Sequence, residues 1–390
     1  MTLHPHLYHQ LLQYIGQYSH HSDKRHIVTL SWMVVGVLMS QSLHLTEWEP
    51  FVISRATKAE SYQKRWTRFL QNDRIDEEKF YLPLVMAAVA HWSKHRIYLA
   101  LDTTVLWNRY CMVHLSLVCG GRAIPFLWQV EEHNSATIAF AVYQRLLRKA
   151  SWLLRHHHDV MLLADRGFAN QKLLKWLNQR TWHYCLRIPN DTLVHGVHRW
   201  RACPVSQLRT VKGEAKMYHQ VRLWESGTET VNLAHAHPVG VAEPWTVITD
   251  EVPTLQTFRQ YGLRFRVEEL FLDSKSGVFG LTDSRLRSPD KLSRLYLVVA
   301  IAILYSTVMG TTVQLSGLRT QVDVHLRRGL SYLKIGLRWL RGAIYKNRRL
   351  LRLLPLPNRE LERCFASHRA EDDYYERLLF SRIRSLHCSV

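Results

Sequence analysis

The sequence predicts an α/β protein: a mixed sheet flanked by helices, with a β-rich insertion before the last helix of that core and helical N- and C-terminal regions. Three observations carry this reading. From Ile97 the apolar pattern changes from the helical to the strand period. The pieces that follow run β-β-β-α-β-α-β, an order that calls for a mixed sheet with helices on its faces. The 390 residues, 47% hydrophobic and 22% charged with 17 Gly and 12 Pro, have room for a sizeable core, which excludes stapled scaffolds, collagen-like repeats and disordered chains.

Residues 1–92 form the expected helical N-terminal region, with apolar residues at helical spacing in Leu11 to Tyr18, Ile27 to Leu45 and Phe80 to Val89. Arg55, Lys58, Lys64, Arg65 and Arg68, interleaved with Tyr62 and Trp66, make it a candidate DNA-binding region; a solvated helix face is the competing reading. The α/β core is expected in residues 93–189 and 251–315. Strands Ile97 to Leu101, Tyr110 to Val118 and Ala123 to Val130 are separated by the turn residues Asn108 and Gly120-Gly121. A helix from about Ser135 to Ala150, a continuous apolar strand Val160 to Ala164, a helix near Asn170 to Asn178 and a strand Tyr184 to Ile188 follow.

Residues 190–250 break into short strand-like pieces, Thr192 to His195, Met217 to Trp224, Thr230 to His235 and Thr246 to Ile248, and are the β-rich insertion. One long helix is expected from about Thr254 to Ser276, ended by Gly277 as its C-cap. Residues 316–390 read as a basic helical region. Between Leu315 and Leu356 ten Lys or Arg (Arg319, Arg327, Arg328, Lys334, Arg338, Arg341, Lys346, Arg348, Arg349, Arg352) stand against one acid, Asp323, more than solubility requires.

The net charge of +20 favours a polyanionic partner, nucleic acid ahead of an anionic membrane. Six Cys (Cys111, Cys119, Cys185, Cys203, Cys364, Cys388) contain no C-x-x-C pair, so neither a zinc cluster nor a disulfide framework is spelled out and a reducing cytoplasm fits. Met1 to Gln10 lacks the pattern of a signal peptide. Ile27 to Ser40 and Leu295 to Met309 are apolar but shorter than the roughly 18 to 20 residues that cross a bilayer, so both are expected as buried core helices, with no membrane partner. His156, His157 and His158 beside Asp159 are consecutive and do not converge on one ion from a regular element. Neither G-x-x-x-x-G-K nor G-x-S-x-G occurs, which leaves nucleotide-driven and serine-hydrolase readings without support.

Asp102 follows the strand-like run IYLAL, and Asp165 follows VMLLA. A carboxylate directly after a buried strand is fixed by the sheet while the strand end opens to solvent and a metal. A turn or capping Asp is the competing reading, since Asp165-Arg166-Gly167 is good turn chemistry. A third carboxylate comes from the long helix. At about 100° per residue Tyr261, Arg264, Glu268 and Lys275 fall within an arc of about 60°, beside the apolar face of Leu263, Val267, Leu270 and Phe271, while Glu269 points away from both. That favours Glu268 over Glu269 as a ligand. An exposed helix with an Arg264–Glu268 ion pair remains the alternative.

Tyr261-x2-Arg264-x3-Glu268-x6-Lys275 resembles the Tyr-Arg-Glu-Lys signature of DDE transposases of the insertion-sequence family four type. ALDTT at Ala100 to Thr104 and ADRGF at Ala164 to Phe168 resemble that family's first and second Asp blocks, in the right order. The resemblance covers about Ile97 to Gly310, and gaps of 63 residues from Asp102 to Asp165 and 103 from Asp165 to Glu268 suit a ribonuclease H-like core with an insertion before its last catalytic helix. It implies a cut-and-paste transposase of an insertion sequence, a bacterial cytoplasmic, nucleoid-associated protein that works as a homodimer on double-stranded DNA, both terminal inverted repeats and target. It also implies two Mg²⁺ ions, with Mn²⁺ able to substitute, held about 3.5 to 4 Å apart by Asp102, Asp165 and Glu268. Tyr261, Arg264 and Lys275 would hold the end of the strand that is not transferred. Trp245 occupies the place where relatives insert a Trp to stack on a flipped base, against the alternative of a core Trp among the 13 in the chain. Two further readings stay open at this level: a DNA-binding transposase remnant without turnover, and a ribonuclease H-like nuclease without strand transfer.

Overall fold

The computed structural model describes residues 4–54, 56–198, 201–239, 241–325, 329–346, 350–358, 369, 372, 380 and 382–387. Arg55, Arg327, Arg328, Arg348, Arg349, Cys364 and Cys388 lie outside them. In chain order the first half contains α1 (His4–Tyr18), α2 (Lys24–Ser40), α3 (Ala59–Gln71), α4 (Glu77–Ala88), β1 (Ile97–Leu106), β2 (Tyr110–Cys119), β3 (Arg122–Glu132), α5 (Phe140–Leu153), β4 (Val160–Ala164), α6 (Gln171–Arg180) and β5 (His183–Arg187). The second half contains β6 (Leu193–His198), β7 (Arg201–Pro204), β8 (Glu214–Leu223), β9 (Glu229–His237), β10 (Trp245–Thr249), α7 (Leu255–Gly262), α8 (Arg266–Leu272), α9 (Pro289–Leu315), α10 (Tyr332–Tyr345) and β11 (Arg382–His387).

Two compact units divide the chain. One comprises Met1–Trp92, Thr103–Ala136 and Val267–Cys364, the other Ser93–Asp102, Thr137–Arg266 and Phe365–Val390, so each takes its own half of β1. The strand order is β3-β2-β1 in the first and β1-β4-β5-β10-β9-β8-β6-β7 in the second, with β11 beside β8. Order 3-2-1-4-5 with β1, β4 and β5 parallel is the mixed sheet that the order of elements predicts and the ribonuclease H-like arrangement that the family resemblance implies.

In the first unit β2 and β3 form an antiparallel hairpin closed by Gly120 and Gly121, both at positive φ as a two-residue hairpin turn of this kind requires. Against β3 lies α9, whose residues from Leu295 to Val313 are all buried, with α2, α4 and α10 packed around it. At 27 residues α9 is longer than the expected Leu295 to Met309, and it is the one described helix long and apolar enough by itself to cross a bilayer. Its most apolar stretch is entirely enclosed by this chain, so burial and not shortness accounts for its composition. Arg294, nearly buried on α9, donates to Leu70 O at 3.0 Å and pairs with Asp73 at 2.9 Å, which fixes the end of α3. The helix expected to reach Leu45 stops at Ser40, where Gln41 adopts a left-handed cap, and a separate 3₁₀ turn containing Pro50 follows.

One surface expectation changes. Tyr62 and Trp66 of α3 are buried in the core, so the aromatics between the basic residues do not face a ligand; Lys58, Lys64 and Arg68 are exposed, with Lys64 paired to Glu60 at 2.6 Å. In α10 the apolar residues are buried and Lys334, Arg338 and Arg341 line the outward side at helical spacing.

At the centre of β2, His114 is fully buried between Phe271 and Tyr296, and neither ring nitrogen has a hydrogen-bond partner among the described residues. Burial pushes its pKa down from 6.5 to about 3, and that of His235 in β9 down to about 4. Folding therefore excludes protons that the unfolded histidines take up. Stability from His114 is complete above its unfolded value near 6.5 and falls as pH drops towards 3, by about 1.4 kcal/mol per pH unit. Urea midpoints at pH 7 and pH 5 should show this loss, and His114→Phe should flatten it. Identical slopes for the two proteins would remove His114 as a source.

In the second unit Arg96 ties the start of β1 to Asp159 at 2.7 Å and to Glu251 at 2.6 Å, anchoring the parallel strands at their N-terminal ends. The insertion extends the sheet by antiparallel pairing of β10 with β5, then β9 and β8. Two strands in the second unit were not anticipated. β7 is four residues long, and β11 lies in the stretch expected to be helical, pairing parallel with β8 from Arg382↔Glu214 to His387↔His219.

Candidate active site

The sheet sets the site. β1 and β4 run parallel with Leu101 opposite Ala164, so the next residues, Asp102 and Asp165, stand side by side at neighbouring strand positions about 4.8 Å apart along the backbone. Parallel strands at equal register send these two side chains to the same side of the sheet. Leu99, Ala100, Leu101 and Val160 to Ala164 are all buried, which holds the strand ends rigidly. Asp165 occupies the cap position of a short 3₁₀ turn, Arg166–Phe168, yet its side chain makes no capping hydrogen bond, contrary to the capping reading.

Each carboxylate is instead met from the end of α7 and the turn that follows it. The expected single helix from Thr254 to Ser276 is divided into α7, a 3₁₀ turn over Leu263–Phe265, α8 and a π-helical turn over Asp273–Gly277. Tyr261 stands near the end of α7 and Arg264 in the middle of the 3₁₀ turn, three residues on, and between them they reach both carboxylates. The Tyr261 hydroxyl donates to Asp165 Oδ1 at 3.1 Å, and Arg264 Nη1 donates to Asp102 Oδ2 at 2.8 Å. Tyr261 is fully buried and Arg264 is 4% exposed. Burial drives the Tyr261 pKa upward, against the lowering effect of Arg264, so the phenol stays protonated and donates.

Trp245, the half-buried first residue of β10, lies against this pair. Its ring centroid is 5.6 Å from those of Tyr261 and Phe265, and the Arg264 guanidinium lies 4.6 Å from the Phe265 centroid. Exposed Arg166 and half-buried Arg187 both approach Glu243, two residues before Trp245.

Glu268 is exposed on α8, and its neighbour Glu269 pairs with Arg122. Lys275, in the π-helical turn, donates to Thr104 Oγ1 at 3.1 Å and Val105 O at 3.3 Å on the second half of β1. That turn is itself fastened. Thr282 Oγ1 donates to Lys275 O at 2.9 Å, Trp107 Nε1 donates to Thr282 O at 2.9 Å, and the Arg287 guanidinium lies 4.2 Å from the Trp107 ring centroid. Trp107 and Asn108 both hold positive φ, an uncommon conformation for a bulky residue. Sequence reading missed Thr104, Trp107, Thr282 and Arg287. The available signal was the lack of Gly in the three-residue turn Trp107 to Arg109 between two strands.

Asp102 and Asp165 supply the hard oxygen donors that a divalent cation prefers, adjacent and on a rigid support, so the residues fit such an ion. Among the described residues no three His, Cys, Asp or Glu side chains are gathered as a metal site. The His156 to Asp159 run forms none either; His156 and His158 are exposed after α5, and Asp159 is engaged by Arg96.

Two aspartates thus stand side by side at parallel strand ends of a ribonuclease H-like sheet. The family model described as the transposase DDE domain matches residues 108–305, just over half of the chain, and the chain belongs to that family. The match begins after Asp102 and takes in Asp165, Trp245, Tyr261, Arg264, Glu268 and Lys275. No curated protein matches the chain significantly. Among solved structures it is similar to the cryo-EM structure of a piggyBac transposase synaptic complex with hairpin DNA, at 9% identity and a TM-score of 0.41, over 88% of this chain and 79% of that one.

Proposed function

We propose that the protein is a cut-and-paste transposase of an insertion sequence, of the family four type, which cleaves phosphodiesters at transposon ends and joins the freed 3′ ends to target DNA. The observation that carries this reading is the side-by-side placement of Asp102 and Asp165 with Tyr261 and Arg264 of the Tyr-Arg-Glu-Lys spacing upon them. Asp102, Asp165 and Glu268 would hold two Mg²⁺ ions, which when bound lower the pKa of an attacking water or 3′-hydroxyl and offset charge on the leaving oxygen. The buried strands hold Asp102 and Asp165 in position, which supports this reading. Lys275, tied to β1, would hold a phosphate beside the scissile one, and Trp245 would stack on a base displaced at the cut end, a contact worth about 1 to 3 kcal/mol. The charge of +20 suits two double-stranded ends and a target gathered by a homodimer.

The test is cleavage of DNA bearing the element's own terminal repeats, with Mg²⁺, Mn²⁺ or neither, by wild type and by Asp102→Ala, Asp165→Ala and Glu268→Ala. Wild type should cut only with metal, and each variant should lose cleavage by at least about a thousandfold while still binding the ends. Equal cutting by all four proteins would refute the assignment. Binding without cutting by wild type would point to a remnant, and cutting without joining to a nuclease.

A further inference from the structure

A buried guanidinium needs an anion, and Arg264, with its side chain 5% exposed, has Asp102, 16% exposed, at 2.8 Å. The neighbouring carboxylate, Asp165, receives an uncharged donor, the Tyr261 hydroxyl. Two carboxylates at adjacent strand ends repel each other, and a pair of donors three residues apart in the chain offsets this. The arrangement is asymmetric: one aspartate is neutralised by a full charge, the other only oriented. The aromatic rings of Phe265 and Tyr261 flank the guanidinium, at 4.6 and 5.9 Å from their centroids, and limit where it can go.

We propose that Arg264 and Tyr261 are positioning residues for the strand-end carboxylates, and that the Arg264 charge competes with divalent cations for Asp102, so that metal loads weakly until Arg264 is drawn away. A DNA phosphate is the anion of the right chemistry to draw it. Metal loading and end binding would then be linked, which keeps the protein from cutting DNA that is not seated. The inference rests on the metal-dependent reading above, and its test separates the two.

Mn²⁺ binding to the full-length protein without DNA is measured by calorimetry, and the melting temperature is recorded with and without Mn²⁺. Arg264→Gln should bind Mn²⁺ about tenfold tighter than wild type, because a fixed positive charge beside the ligand is gone, and should melt lower without metal yet gain more from it. Arg264→Lys, which keeps the charge, should stay near wild-type affinity, and Tyr261→Phe, which removes no charge, should do the same. If Arg264→Gln fails to fold, Arg264→Met, closer in apolar volume, carries the same expectation. An affinity for either neutral variant equal to or weaker than wild type overturns the competition. Asp102→Asn and Asp165→Asn identify the other failure: if they bind Mn²⁺ as wild type does, the metal reading itself is wrong.

Discussion

Asp102→Ala is expected to abolish end cleavage and to lower folding stability by on the order of 3 kcal/mol, whereas Asp165→Ala should abolish cleavage at roughly 1 to 2 kcal/mol. The two aspartates occupy matching positions, so the difference comes from their partners. Removing Asp102 takes from the Arg264 guanidinium, 4% exposed, the charged acceptor it meets at 2.8 Å. Removing Asp165 leaves only the buried Tyr261 hydroxyl short of an acceptor. Asp102→Asn should fall between, since the amide oxygen still accepts a hydrogen bond but carries no charge. Urea midpoints for the three variants, set beside their cleavage rates, check the order. Equal destabilisation by Asp102→Ala and Asp165→Ala would mean that the Arg264 pair contributes little to the fold.

The strand ends were legible because buried parallel strands have a plain signature. Leu99 to Leu101 and Val160 to Ala164 are continuous apolar runs, each followed at once by a carboxylate, and the register Leu101↔Ala164 makes those carboxylates neighbours. The helix after them was legible only in outline. A wheel drawn at one angle per residue contains no information about where the chain tightens to 3₁₀ or loosens to π, and both occur between Tyr261 and Gly277. The wheel separated Tyr261 from Arg264 by about 60°, and it contains nothing about the neighbouring aspartates, Asp165 and Asp102, that they reach. Strand β11 was illegible for another reason. RIRSLH alternates arginine with apolar and small residues, a pattern of basic surface chain, and it becomes a strand only because β8 offers it a partner. The same holds for Trp66 and Tyr62. Their spacing among basic residues suits a nucleic-acid face equally well, and only the packing against Trp48 and the rest of the helical region turns them inward.

Gly310→Ala and Gly336→Ala should each destabilise the first unit by more than about 3 kcal/mol, an unusually large effect for a single methyl group. Both glycines are buried where α9 meets α10, and neither is needed for backbone conformation, since both sit within regular helix. Their role is contact distance. A Cβ on Gly310 would lie 1.8 Å from Tyr332 O, and one on Gly336 would lie 1.9 Å from Ser306 O. These obstacles are backbone atoms, so no side-chain rotation relieves them and one helix has to move off the other. Moving α10 would strip cover from Met309, Val313, Leu337 and Leu340, all buried now. Gly16, in the exposed part of α1, is the control: nothing lies within 4 Å of its Cβ position, so Gly16→Ala should stabilise by up to about 1 kcal/mol through helix propensity alone. Melting curves of the three alanine variants decide it. A loss at Gly310 or Gly336 no greater than an ordinary surface change would mean that the helices do not cross backbone to backbone.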